Sequence, residues 1–569
     1  MRRKTTVLFV QFPQLDNDVT GPHENLMMAA ACLQYAAERS GEDRYYDFAR
    51  LPVDVANADN AHTVESIADL RPGVIAFTAY LWNVERTLRL ARLIRQRLPL
   101  VKIAVGGPEV AFPHPFLLRS RAVDVAVAGE GEVVFPLLLR AFRLAAPLDF
   151  RTVATLTDGG YRIGRFDPPA ANLGEAVPPP GYRDFGPDRR GMAYLETSRG
   201  CPMRCAYCRY PHLRRTLSFL APSDVIRRLR ALKEMGAREI RFVDPSFNAH
   251  PRFLDILKGL AEINRSGSLK FFAELNAERL IGKEADLLAR AHFTDIEVGL
   301  QSRDPNVLRA IRRPSDLKRL DAGVRLLARR NIRVTLDVMY GLPLQTESDV
   351  RRSLKCALGF RGVNVQSLQT LLIPGTEMRR RRREWGLEST PLPPYGVTAT
   401  PRLPPSALAR IEAYVAKHPR LRSDLPTPAF VGRRLGALFS EKVVVDADRL
   451  AASTPVPGRE SRRAFLIRGH DLFGRRDEIV GFVKRAIRQE PDILCQFVLA
   501  PHGEEPLDLF DDLIAAIRAA PSHLNDRYAA LAGQGKIASR RLLVRLPAAG
   551  RFSVGWIQAV DRTLGAVFF

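Results

Sequence analysis

At 569 residues and 46% hydrophobic composition, the chain is long enough for roughly two to four packed domains and too apolar to be a disordered protein. No apolar run reaches the roughly 18–20 residues a membrane helix needs, and six cysteines, three of them within eight residues, exclude the disulfide framework of a small secreted domain. The formal net charge of +24 admits nucleic acid or an anionic partner. Arginine is nevertheless spread along the whole chain, with one dense block at Arg379–Arg383 and no recognition motif beside it. A solvated arginine-rich surface is the simpler reading, and nucleic acid is not an expected partner.

The opening Met1-Arg2-Arg3-Lys4 before Val7–Val10 has the charge pattern of a signal peptide. Its apolar stretch breaks at Gln11 and no small-residue cleavage site follows, so it reads as a first strand and the cytoplasm is the expected location. Strands are expected at Val7–Val10, Val74–Thr78, Val101–Val105 and Val123–Val127, with helices at Glu24–Ala37 and Val84–Leu98. Short apolar strands separated by helices imply a doubly wound parallel sheet over residues 1–145, and such sheets bind ligands beyond their carboxyl ends. Residues 146–190, with Pro168-Pro169 and Pro178-Pro179-Pro180, read as a linker. A second βα series over 191–388 has strands expected at 192–197, 239–243, 270–274, 295–300, 333–338 and 364–370, a partial (β/α)6 barrel. The proline-rich passage 391–405 marks the next boundary. Residues 406–569 form a small C-terminal α/β domain, with strands at Ala464–Ile467 and Cys495–Leu499 and no chemical motif, expected to be substrate-related.

The chemistry is concentrated at Cys201, Cys205 and Cys208, spaced C-x3-C-x2-C in a loop after the first strand of the second series. Three thiolates this close can ligate three irons of a cubane cluster and leave the fourth iron open to a small molecule. Structural zinc is the alternative; it calls for paired C-x2-C ligands and a second pair, and only His212 is at hand. Cys32, Cys356 and Cys495 stand in apolar surroundings and read as buried small hydrophobes. Asp244, Glu274 and Glu297 end strands and could accept hydrogen bonds from an ammonium or a ribose hydroxyl, or equally pair with nearby arginines.

With Tyr207 in its aromatic place, the cysteine motif resembles that of the radical S-adenosylmethionine (SAM) superfamily. Further segments resemble the cobalamin-linked branch in order and spacing: Phe242-Val243-Asp244-Pro245-Ser246-Phe247-Asn248, Glu297-Val298-Gly299-Leu300-Gln301-Ser302, Asp337-Val338-Met339-Tyr340-Gly341-Leu342-Pro343, and Leu372-Ile373-Pro374-Gly375-Thr376. The resemblance implies a [4Fe-4S] cluster on the three cysteines that binds SAM at its open iron and cleaves it to a 5′-deoxyadenosyl radical. Asp244, Asn248 and Gln301 are then candidate cofactor contacts, and Glu274, Glu297 and Tyr340 candidate catalytic residues.

The first domain resembles the cobalamin-binding domain of that branch, through Gly21-Pro22-His23-Glu24-Asn25-Leu26, Tyr80-Leu81-Trp82-Asn83, Val105-Gly106-Gly107-Pro108-Glu109 and Gly129-Glu130-Gly131-Glu132. Asn25, Leu81, Trp82, Gly106, Gly107, Pro108, Gly129 and Glu130 are the implied cofactor-binding positions. G-x-G-x-x-G is missing after the first strand, which argues against a dinucleotide. The Asp-x-His-x-x-Gly motif that supplies cobalt with a histidine is missing too, so the lower face of a cobalamin would meet the Leu81–Trp82 loop without a histidine ligand. The implied activity is methylation of an unactivated carbon in a natural-product or peptide intermediate, with an external electron donor of flavodoxin or ferredoxin type. Cyclisation or rearrangement with the same cofactors stays open, as does a non-catalytic cobalamin sensor. The tRNA methylthiotransferases share the cysteine motif but carry further cluster cysteines upstream, which Cys32 alone cannot replace.

Overall fold

The computed structural model describes residues 3–13, 27–183, 185–210, 216–418, 420–423, 441–451, 454, 456–520, 542–546, 552–564 and 567–568. In the first domain β1 (Thr5–Val10), β2 (Tyr46–Arg50), β3 (Val74–Thr78), β4 (Lys102–Gly106) and β5 (Val125–Val127) pair in parallel in the order β2-β1-β3-β4-β5. The two-residue period of a strand sorts its side chains between two cores. Val7 and Phe9 pack under the helices Met28–Arg39 and Gly131–Leu144, while Leu8 and Val10 face the helices Asn60–Leu70 and Val84–Arg97. Strand order turns back between β1 and β3, the place where doubly wound sheets take ligands.

The stretch 146–190 is not a plain linker. β6 (Val153–Thr157) and β7 (Gly160–Ile163) turn at Asp158-Gly159 and extend the first sheet antiparallel, a junction that Asp-Gly and Gly-Gly pairs favour. Downstream, Leu173, Val177 and Phe185 pack into the core of the second domain.

That domain begins with β8 (Met192–Leu195), followed by the short antiparallel pair β9 (Ser198–Arg199) and β10 (Ser218–Phe219). β11 (Glu239–Phe242), β12 (Lys270–Glu274), β13 (Phe293–Gln301), β14 (Arg333–Tyr340) and β15 (Val363–Gln369) continue a parallel sheet outward from β8. All six expected barrel strands are present. After the antiparallel pair β16 (Glu388–Ser389) and β17 (Val397–Ala399), a seventh parallel strand, β18 (Leu421–Ser423), adds to β15. Leu403, Ala407, Ile411 and Leu421 share one core with Leu336 and Val365, so the barrel runs to residue 423 rather than 388. Two of the prolines that suggested a boundary occupy a helix start instead: Pro404 is the N-cap residue and Pro405 the first residue of the helix Pro405–Lys417, where a missing N–H costs nothing.

The C-terminal sheet is parallel and sequential: β19 (Glu441–Asp446), β20 (Arg462–Gly469), β21 (Leu494–Pro501), β22 (Leu542–Arg545) and β23 (Val567–Phe568). Cys32 and Cys495 are buried as expected; Cys356 is only half-buried, beside Arg325 and Lys355 on an open groove. Among the described residues no helix is long and apolar enough to cross a membrane.

The amino ends of β20 and β21 dock on the first domain through polar contacts. Arg463 Nη2 lies 2.7 Å from Asp59 Oδ2, Arg89 Nε 2.6 Å from Asp492 Oδ2, and Ser461 N–H donates to Asn57 O at 2.7 Å. Glu490 sits in the same interface, and burial and the Asp59 carboxylate beside it push its carboxyl up to about 7. A carboxyl with a raised folded pKa contributes most while protonated, so its share of stability is lost as pH climbs from the ordinary carboxylate range through about 7. Glu490→Gln is therefore expected to be the more stable protein at about pH 8, by on the order of 1–2 kcal/mol, with the gap closing toward about pH 5. Denaturant melts of both chains across that range check this; a gap that does not change with pH contradicts it.

Candidate functional site

The cysteine loop leaves the carboxyl end of β8, the edge strand of its sheet, and is pinned there by Asp244 at the end of β11. Asp244 accepts from Thr197 N–H at 3.2 Å, Thr197 Oγ1 at 2.8 Å and Ser198 Oγ at 2.5 Å. Its side chain is buried, and burial lifts its carboxyl to about 6 in spite of these donors. Expected to touch cofactor, Asp244 is committed instead to holding the loop. Ala206 N–H donates to Ile311 O and Ala206 O accepts from Met378 N–H, both at 2.8 Å, while Tyr207 packs against the core around Ile311 and Leu372.

So anchored, Cys201, Cys205 and Cys208 line one pocket with Glu274, Glu297, Gln301, Arg313 and Asp337. Burial raises the Cys201 thiol and pushes Cys208 up to about 12, so the bare site holds protons that a metal would displace. Among the described residues no three His, Cys, Asp or Glu side chains converge on a single ion. A cubane instead spreads its three thiolates over three irons, the arrangement this spacing suits.

The rest of the pocket follows from strand alternation. Ala273 and Leu275, Ile296 and Val298, and Leu336 and Val338 face the helices. The acids between them, Glu274, Glu297 and Asp337, therefore point into the barrel. Burial and the neighbouring Glu297 and Asp244 push Glu274 up to about 7; burial and a shared hydrogen bond with Glu297 raise Asp337 far above the carboxylate range. Arg313 is the counter-cation: its Nη2 donates to Gly299 O at 2.5 Å and its Nη1 lies 3.8 Å from Cys205 Sγ. Gln301 takes a left-handed conformation (φ 63°) at a register shift in β13. Gln301 Oε1 and Asp337 Oδ1 are buried with no hydrogen-bond partner among the described residues. Two orphaned acceptors in an acidic pocket fit the ammonium and ribose hydroxyls of SAM.

Two expected residues do not line that pocket. Asn248 brackets the backbone of Asn276, donating to its O and accepting from its N–H, each at 2.9 Å. Tyr340 is buried in the barrel core with its hydroxyl 3.4 Å from Glu412 Oε1, away from the cysteine pocket. Asp337 and Arg313 were not singled out from sequence. An acid flanked by core residues on a strand is the signal that marks Asp337; Arg313, in a basic pair on a loop, had none.

In the first domain Trp82 stacks on Tyr80 with centroids 4.4 Å apart. Asn83 secures this loop by donating to Phe12 O at 3.0 Å and accepting from Tyr80 N–H at 2.8 Å, with Leu81 half-buried between them. Gly106, Gly107 and Pro108 lead the next loop along it: at Gly107 (φ 108°) a Cβ would fall 2.6 Å from Ala79 O, so only glycine allows the approach. Gly129 opens the following turn. Glu130 is spent on a salt bridge to Arg199 at 3.5 Å, beside Glu132 and Glu196. His114, the histidine nearest these loops in sequence, accepts from Leu117 N–H at 2.9 Å through Nδ1 and meets Glu109 at 3.2 Å through Nε2, leaving neither nitrogen for cobalt. Asn25 and His23 lie outside the described residues. The glycine approach and the paired loops at the carboxyl ends of β3 and β4 fit a large flat ligand with a tail.

Comparison with known proteins agrees with both halves. The Radical SAM superfamily matches residues 195–357, and the B12 binding domain matches residues 35–139. The 2-(S-pantetheinyl)-carbapenam-3-carboxylate methyltransferase of Streptantibioticus cattleyicolor is 30% identical over 49% of this chain and 44% of its own length. The cobalamin-dependent radical SAM methyltransferase TokK of Streptomyces tokunonensis is 30% identical over 51% of this chain and 45% of its own. The matches thus span less than half of those relatives. The radical SAM methyltransferase TsrM of Kitasatospora setae, solved with cobalamin and a [4Fe-4S] cluster, superposes with a TM-score of 0.56 at 18% identity, covering 68% of this chain and 81% of that one, which establishes a shared fold. The chain carries a B12-binding domain followed by a radical SAM domain.

Proposed function

We propose that the chain is a cobalamin-dependent radical SAM methyltransferase acting on an unactivated carbon of a small-molecule or peptide intermediate. The observation that carries this reading is the convergence of three anchored thiols with an acidic, orphan-bearing pocket in a chain that also holds a B12-binding domain. The two methyltransferases of 30% identity named above support it.

With cluster, SAM and cobalamin bound, the chemistry supplied is one-electron cleavage of SAM, hydrogen abstraction from substrate and methyl delivery to the resulting carbon. Cys201, Cys205 and Cys208 would hold the cluster, and Arg313 offsets the thiolate charge at Cys205. Gln301 Oε1 and the carboxyls of Glu274, Glu297 and Asp337 would hold the ammonium and ribose of SAM. The loop carrying Leu81 and Trp82 would meet the lower face of cobalamin without a histidine. An external reductant supplies the electron, and the cytoplasm keeps the thiols reduced. Contacts specific to the substrate are assigned to the barrel rim and the C-terminal domain.

Cluster-loaded chain given hydroxocobalamin, SAM, a reductant and a candidate substrate should release S-adenosylhomocysteine and 5′-deoxyadenosine in about equal amounts. Deoxyadenosine without S-adenosylhomocysteine favours cyclisation or rearrangement, and sinks methylation. Cys201→Ala should retain little iron and lose deoxyadenosine formation by about 10³-fold or more. A second expectation concerns pH. Glu274 is neutral below about 7 and anionic above it, and SAM carries a sulfonium cation. SAM affinity of the loaded enzyme should therefore tighten as pH rises from about 6 to 8, while Glu274→Gln binds about tenfold more weakly at the upper end and responds little to pH. Equilibrium titrations of both proteins decide this, and a wild-type affinity independent of pH contradicts it.

A further inference from the structure

The acid that closes the loop Gly106-Gly107-Pro108-Glu109 does not point toward a ligand. Glu109 is buried, and its Oε1 accepts the Tyr395 hydroxyl at 2.5 Å. Tyr395 is fully buried and belongs to the barrel, where its O accepts from Leu372 N–H at 2.9 Å just after β15. Arg379 lies over the Tyr395 ring at 4.7 Å. His114 completes the group: because its Nδ1 accepts from a backbone N–H, its Nε2 carries the proton and donates to Glu109.

A second tie reaches the same loop from the opposite end of the barrel. Arg209 follows the cluster cysteine Cys208, and its Nη2 donates to Val110 O at 2.6 Å. Its path crosses Gly375 in the loop after β15, where a Cβ would fall 1.7 Å from Arg209 Nη1 and 2.9 Å from Ala111 Cβ. Glycine here leaves room for an arginine to pass from one domain to the other. Loop 106–110 is in turn fastened to the Tyr80–Trp82 loop, since Ala79 N–H donates to Gly106 O at 2.7 Å and Glu109 N–H to Ala79 O at 3.1 Å.

We infer that Arg209 and Tyr395 are positioning residues that latch the 106–110 loop of the first domain to the cluster loop and the last barrel unit, and so set the separation between a cobalamin and the cluster. This rests on the cobalamin reading above for its functional meaning. The contacts are directional hydrogen bonds, one charge-assisted at each tie, and both end on a single five-residue segment. A loop built only to cradle a ligand would need neither tie. A gap between two cofactors that must exchange a group with one substrate carbon needs both.

The test uses the full chain, cluster-loaded and then supplied with hydroxocobalamin. In Tyr395→Phe and Arg209→Ala, amide exchange over 104–111 should rise about tenfold, while β14 and β15 keep wild-type rates and so exclude general unfolding. With the cluster reduced and the cobalamin brought to its cobalt(II) form, pulsed electron paramagnetic resonance should show a sharp dipolar coupling in wild type and a broadened one in the double variant. A merely stabilising role would leave that coupling sharp. Unchanged exchange in both single variants, or a double variant with the wild-type coupling, overturns the latch. A wild-type chain that keeps its cluster but takes up no hydroxocobalamin overturns the functional reading instead, and exchange in the cluster-loaded chain then decides the latch alone.

Discussion

Asp244 accepts three donors from Thr197 and Ser198, and the placement of the cysteine loop depends on that contact. β8 is an edge strand, so beyond Leu195 the chain has a neighbour on one side only. An unanchored excursion from an edge would sample many positions, each with its own thiol geometry. The buried carboxyl at the end of β11 fixes the exit point, and β9 pairing with β10 fixes the return. Hydrogen bonds to a charged or partly charged buried acceptor are worth about 1.5–3 kcal/mol each; here they offset only part of the burial, which still lifts Asp244 to about 6. The cysteine loop is held by hydrogen bonds from Thr197 and Ser198 to one buried carboxyl.

From that anchor the electrostatics of the pocket follow. Glu274, Glu297 and Asp337 reach the barrel interior from three adjacent strands, and three carboxylates so close cannot all be ionised in a partly dry cavity. The raised carboxyls of Glu274 and Asp337 record the conflict. Arg313 supplies one positive charge, already shared with Gly299 O and Cys205. Deprotonated thiols bearing a cluster would add further negative charge. Once Glu274 ionises above about 7 the single cation Arg313 is outnumbered, and a ligand bearing a sulfonium and an ammonium relieves that shortage. The acidity discriminates against anionic guests for the same reason, despite the basic composition of the chain.

Much of this was legible in sequence because parallel strands buried on both faces leave long apolar runs. The first-domain strands β1, β3, β4 and β5 were found that way, and the six barrel strands as the short β-rich runs of a regular βα series. β2, Tyr-Asp-Phe-Ala-Arg, was not: as an edge strand with one fully buried residue it carries no such run. Proline density misled twice, since prolines also occupy helix starts and turns inside domains. Cys201, Cys205, Cys208, Glu274, Glu297 and Gln301 converge as their positions suggested. Asp244 and Asn248 lie beside the site but turn their polar atoms to the backbone and side chains that shape it, a distinction that spacing cannot convey. Tyr340 falls on the other side of its strand's packing. Glu109 and Tyr395 are 286 residues apart in the chain, and no local pattern announces a partner at that distance.

Polar contacts at the domain boundaries give the arrangement its stiffness. Apolar surfaces are non-directional and tolerate sliding and repacking, whereas a buried carboxylate–hydroxyl or carboxylate–guanidinium contact is satisfied in a narrow range of geometries and costly when left open. Arg199 is gripped by Glu196 of the barrel and by Glu130 and Glu132 of the first domain. Asp59 of the first domain is gripped by Arg463 of the third. Each seam therefore penalises rotation more than it rewards contact area. Domains that merely adhered would leave their separation to thermal motion; domains joined through directional buried charges hold it.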